Sequence, residues 1–231
     1  MTGLIERHLD RSGCLLEAGC GLGQYVVLLR ERGHRAVGAD WSFEAVREGV
    51  RAGGPMAVMD LRSLGVRDGS VSSYLSLGVV EHDAEGPGAI VREAARVLKP
   101  GGTLLISVPY WNGARRLFGP YLARRGAHAA ASGEQFYQYA FSRREISAFL
   151  GAHGFEVRSF HPYDPARLLR KARRALVGSG SSWEGQRRVP GGLSRRARPR
   201  GVARRIMRGL LYTPLILRLL GHMILAVAVR T

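Results

Sequence analysis

The sequence predicts an α/β fold, a mostly parallel sheet with helices on both faces. Two observations predict it. Short apolar runs alternate with segments of helical periodicity through the first 108 residues. The first apolar run, ending Leu15-Leu16-Glu17-Ala18, enters a turn bearing Gly19, Gly21 and Gly23 that opens a helix.

The elements follow in order. Strands are expected near 13–18, 35–39, 56–59, 71–78 and 103–108, and helices near 23–33, 42–52 and 87–98. The segment 142–153 is a further helix. Ser142 is its expected N-cap, with Glu145 three residues later completing a capping box. Gly154 ends it, a sixth strand covers 155–160, and 222–230 (HMILAVAVR) is a seventh.

Chemistry gathers at the strand tips. A helix N-terminus behind a bare glycine loop is a nucleotide-sized site. The spacing here is GxGxG, unlike the GxGxxG dinucleotide fingerprint. Glu17 would repel a pyrophosphate and suit a ligand carrying an ammonium group. Asp40 ends the second strand, where a carboxylate can accept both ribose hydroxyls of a nucleoside. Asp60 ends the third, where it can accept an adenine amine, and Trp41 can cover the adenine face. Each acid alone also reads as a helix N-cap, and the turn alone as a βα connection that binds nothing. Three acids at successive strand tips point to one ligand at the carboxyl edge.

LEAGCGLG, Asp40, Asp60, SLGVVEH (76–82) and VLKPGG (97–102) together resemble the successive motifs of class I S-adenosylmethionine-dependent methyltransferases, across 15–160. The resemblance implies a Rossmann-like sheet of seven strands, the last two an antiparallel hairpin with the seventh inserted into the sheet. A strand covered on both faces reads as continuously apolar, and HMILAVAV does. The resemblance also implies S-adenosylmethionine as cofactor. Glu17, Gly19, Gly21 and Gly23 would line its methionine part, and Asp40 would take the ribose. Asp60 and the Leu61 N–H would take the adenine. Ser76 or Leu77 would offer a carbonyl to the ammonium group. His82, at the substrate edge, is the expected general base, or else a residue that shapes its loop.

At 231 residues, one methyltransferase domain with two inserts is expected, its core spanning 1–108, 141–160 and 222–231. The first insert, 109–140, holds seven of the chain's 18 aromatic residues. It reads as a lid over the acceptor, with Tyr110, Trp111, His128 and Tyr137 as substrate contacts, or as aromatic packing on the core. The second insert, 161–221, reads as a basic amphipathic helix at 165–177, a Gly/Ser and Arg-rich stretch, and an apolar helix at 204–220.

Charge is uneven. Residues 1–160 hold 19 basic and 16 acidic side chains, and residues 161–231 hold 16 and 2, for a whole-chain charge of +17. The basic segment suggests contact with an anionic membrane surface, a substrate cap or a homodimer face. The run 210–229 has the length of a membrane span. Its Arg218 opposes that reading, because a central arginine costs about 2.5–3.5 kcal/mol on insertion scales.

Two cysteines, scattered histidines and the absence of a leader pattern imply a reduced, cytoplasmic setting, possible peripheral attachment to the inner membrane face, and no metal centre. The leading expectation is methyl transfer to an oxygen or nitrogen of a small molecule, whether natural product, glycan or lipid-linked. RNA methylation is the alternative, although no NPPY-type motif follows the fourth strand. A protein that binds the cofactor without transferring a methyl group is the third reading.

Overall fold

The computed structural model describes residues 1–113, 140–165, 209 and 211–231. Its strands are β1 Cys14–Ala18, β2 Arg35–Asp40, β3 Met56–Val58, β4 Val71–Leu77, β5 Leu98–Pro109, β6 Phe155–Tyr163 and β7 Met223–Arg230. They form one seven-stranded sheet in the order β3-β2-β1-β4-β5-β7-β6. The pairings from β3 to β5 are parallel. Strand β7 runs antiparallel to both its neighbours, β5 and β6. The expected reversed last strand is therefore present, and it lies inside the sheet.

The helices are α1 Thr2–Glu6, α2 Gln24–Glu31, α3 Phe43–Arg51, α4 Gly88–Val97, α5 Arg143–Gly151 and α6 Pro214–Leu220, with a 3-10 turn at Val80–His82. Side chains alternate across the sheet. Leu16, Tyr74, Leu104, Ile106, Ile224 and Ala226 pack in one apolar cluster. Leu15, Leu75, Leu105, Leu225 and Val227 pack in the other. Both faces of the central strands are thus covered, which is why their sequences are apolar without a period of two.

The expected boundaries differ in three places, the first being the sixth strand, which runs on to Tyr163 rather than ending at 160. Strand β5 begins at Leu98 rather than 103, because Val71 pairs with Leu98 and Ser73 with Thr103. The intervening Lys99, Pro100, Gly101 and Gly102 bulge within the strand, with Gly101 at φ +73°. The expected apolar helix at 204–220 is interrupted. Residues 209 and 211 are helical, but residues 212 and 213 turn before α6 starts at Pro214. Proline offers no N–H and steers Thr213 out of the helical region, so a new helix starts there.

The run 210–229 divides into α6 and β7 rather than forming one span. Among the described residues no helix is long and apolar enough to cross a membrane. The expected helix at 165–177, beyond Pro165, lies outside the described residues, as do His128 and Tyr137.

Candidate functional site

The glycine turn is tied down from both sides. The N–H groups of Gly19 and Cys20 donate to the Ala39 carbonyl at 2.8 and 3.1 Å. The Gly21 N–H donates to Asp40 Oδ2 at 2.7 Å, and the Ser42 N–H donates to Asp40 Oδ1 at 2.9 Å. Asp40 therefore fastens the turn after β1 to the start of α3, and Ser42 caps that helix by accepting from the Ala45 N–H. Gly19 and Gly21 have φ of +76° and +53°. A Cβ on Gly19 would lie 2.4 Å from the Val79 side chain, whereas one on Gly21 would meet nothing within 4 Å. Gly19 is needed for close packing, and Gly21 leaves a bare backbone facing open space.

Glu17 lies beneath this turn and is 4% exposed. Its Oε2 accepts the Val26 N–H at 3.1 Å, so the first turn of α2 already holds a carboxyl group. Burial, reinforced by the Asp40 charge, pushes the Glu17 pKa up to about 8, against the pull of the Val26 N–H. The turn is therefore not a phosphate cradle.

Beside it opens a cavity of about 950 Å³. It brings together Gly19, Asp40, Trp41, Asp60, Leu61 and His82. Trp41 is 81% exposed at its rim. The Asp60 carboxylate is forked by Arg62, with Nε at 3.0 Å from Oδ1 and Nη2 at 2.9 Å from Oδ2. These hydrogen bonds hold its carboxyl below the ordinary range. His82 closes the 3-10 turn, and its N–H donates to the Val79 carbonyl at 3.0 Å. Its neighbour Glu81 is buried, with Oε2 lacking a hydrogen-bond partner, and burial raises its pKa.

Other expected site residues are not on this wall. Ser76 is fully buried within β4, and Leu77 packs against the cluster around Leu15. Glu17, Gly21 and Gly23 support the turn rather than line the cavity. Tyr110 and Trp111 follow β5, their N–H groups donating to the carbonyls of His222 and Phe141 at 2.8 Å each. Sequence reasoning missed three charged wall residues, Arg62, Asp83 and Glu85. Their signal is position alone: two stand within four residues of the SLGVVEH motif, and one stands two after Asp60. Among the described residues, four carboxylates, Asp40, Asp60, Asp83 and Glu85, share this wall with one guanidinium, that of Arg62, and the cavity favours a cationic ligand.

A net-acidic cavity at the carboxyl edge of the sheet stands where α/β domains of this topology bind their ligands. Residues 16–106 match a family described as a methyltransferase domain, and this segment is similar to S-adenosylmethionine-dependent methyltransferases. A probable S-adenosylmethionine-dependent methyltransferase of Mycolicibacterium smegmatis is 32% identical over 146 residues, covering 62% of this chain and 52% of the relative. The chain spans about half the length, or less, of the curated relatives it matches. A solved S-adenosylmethionine-dependent methyltransferase from Methanosarcina mazei shares the fold at a TM-score of 0.64 and 18% identity, covering 98% of this chain and 96% of that one. The cyclase SpnF shares it at 0.63 and 18%, covering 99% of this chain and 80% of that one.

Proposed function

We propose that this protein transfers a methyl group from S-adenosylmethionine to an oxygen or nitrogen of a small-molecule acceptor. The observation that carries the reading is the acidic cavity beside a turn whose backbone is bare at Gly21. The residues fit the cofactor: adjacent strand tips supply acceptors for hydroxyls and an amine, and the excess of carboxylates suits a sulfonium and an ammonium. When bound, the cofactor supplies an activated methyl group whose leaving thioether is neutral.

In this reading Asp40 uses lone pairs beyond its two backbone donors to accept ribose hydroxyls. Asp60 and the Leu61 N–H hold the adenine, and Trp41 covers its face. Glu17, Gly19, Gly21 and Gly23 shape the methionine end, and a carbonyl of Ser76 or Leu77 meets its ammonium. His82, on the cavity wall, takes the acceptor's proton. Tyr110, Trp111, His128 and Tyr137 contact the acceptor and help exclude water. The protein works as one domain, and its basic segment 161–221 rests on an anionic membrane surface or on a second subunit.

Titration calorimetry with S-adenosylhomocysteine tests the cofactor assignment. Asp40→Asn is expected to weaken binding at least tenfold, and unchanged affinity would overturn the assignment. His82→Ala is expected to leave that affinity unchanged while lowering turnover and removing the acidic limb of its pH profile. A profile that keeps this limb would return His82 to a purely structural role.

A further inference from the structure

A second cavity, of about 670 Å³, opens at the same sheet edge beyond the end of β6. Its charge is opposite to that of the first. Arg7, Arg143 and Arg218 line it, and among the described residues Asp164 is the one carboxylate on its wall. Leu4, Phe160 and Leu217 give it an apolar side.

Among the described residues none of the three arginines is held in an ion pair. The Nε of Arg143 is buried without a hydrogen-bond partner. Its guanidinium lies 5.8 Å from the Phe160 ring centre and 6.0 Å from that of Tyr110. His161, on the same wall, is held below its ordinary pKa by burial first, then by His8, Arg7 and Arg143. Among the described residues, then, three guanidinium groups share this wall with one carboxylate, Asp164, and none of them is ion-paired. A buried donor without a partner is costly, and an acidic ligand would relieve it.

Ser107 is hydrogen-bonded to a wall residue of each cavity. The Tyr163 hydroxyl, on the wall of the second, donates to Ser107 Oγ at 3.0 Å. The Gly78 N–H, from the wall of the first, donates to the Ser107 carbonyl at 3.0 Å.

We propose that the second cavity binds an amphiphilic anion, a carboxylate or phosphate on an apolar body. The acid meets Arg7, Arg143 and Arg218, and the apolar part lies along Leu4, Phe160 and Leu217. That this molecule is the methyl acceptor rests on the function proposed above, whereas its binding does not.

The test is calorimetry on the full chain with decyl phosphate below its micelle-forming concentration, alongside decanoate, 1-decanol and inorganic phosphate. Decyl phosphate or decanoate is expected to bind saturably, at least tenfold more tightly than decanol or inorganic phosphate, and the tighter of the two names the acid. Arg143→Met is expected to weaken that binding at least tenfold, with the affinity for S-adenosylhomocysteine unchanged. Arg7→Met serves if that variant fails to fold. Equal binding of decanol, equal binding of inorganic phosphate, or indifference to both substitutions would overturn the proposal. Decyl phosphate binding in a chain that ignores S-adenosylhomocysteine would sink the methyl-transfer reading and leave this one standing.

Discussion

Asp40 has a structural task besides its proposed ligand role, because its two oxygens hold the N–H groups of Gly21 and Ser42. Asp40→Ala strands both donors, at about 1–3 kcal/mol for each that stays buried. Asp40→Asn keeps one acceptor oxygen. Urea unfolding is therefore expected to rank Ala below Asn below the native chain, and equal midpoints for the two variants would refute the bracing role. The glycines separate in the same way. Gly19→Ala and Gly21→Ala each incur about 1–2 kcal/mol for a left-handed backbone. Only Gly19→Ala also drives a Cβ into Val79, so it is expected to be the more destabilised. Glu17 predicts a pH effect. Its folded pKa of about 8 lies above the ordinary value of 4.5, so between these limits the folded state binds more protons than the unfolded one. Its contribution to stability is full below about 4.5 and is lost as pH rises towards 8. Denaturant unfolding at pH 5 and pH 8 is expected to show a smaller loss of stability in Glu17→Gln than in the native chain.

At the level of elements, α5 offers a clean test. Ser142 Oγ accepts the Glu145 N–H, and Glu145 Oε2 accepts the Ser142 N–H, which completes the expected capping box. Ser142→Ala is expected to cost about 1 kcal/mol in chemical unfolding. This cap was legible because its chemistry is local: a hydroxyl, and a carboxylate three residues on. The parallel core was legible for a similar reason, since the apolar runs and the acids that end them are short-range patterns. The start of β5 was not, because Leu98 joins the strand only through its pairing with Val71, a long-range contact. The site divides along the same line. Asp40, Asp60 and the glycine turn follow from position at strand tips. Asp83, Glu85 and the fork from Arg62 to Asp60 depend on how loops fold over the edge, which periodicity does not encode. Arg143 stands 139 residues from Leu4 in the chain, so its cavity was beyond any motif.

Across the whole molecule, charge is sorted twice. The carboxyl edge carries an acidic cavity beside Asp40 and a basic one beside Arg143. The chain itself changes from near balance over 1–160 to 16 basic against 2 acidic residues over 161–231. The basic cavity takes Arg218 and α6 from that second segment, and Arg7 and Arg143 from the first. A membrane bearing anionic lipid would attract this side at about 1 kcal/mol for each arginine near the surface, weakened by salt. The exposed Tyr212, Leu215 and Leu219 add the apolar contact that stable peripheral binding requires. Co-sedimentation is expected to pellet the protein with phosphatidylserine-containing vesicles at low salt, release it at high salt, and leave it in solution with phosphatidylcholine alone. Equal recovery from both vesicle types would refute an electrostatic membrane surface and leave 161–221 as a cap over the acceptor or a contact between subunits. Absorbance at 260 nm in the same preparations gives the remaining discrimination, because salt-removable nucleic acid would redirect the basic segment towards RNA.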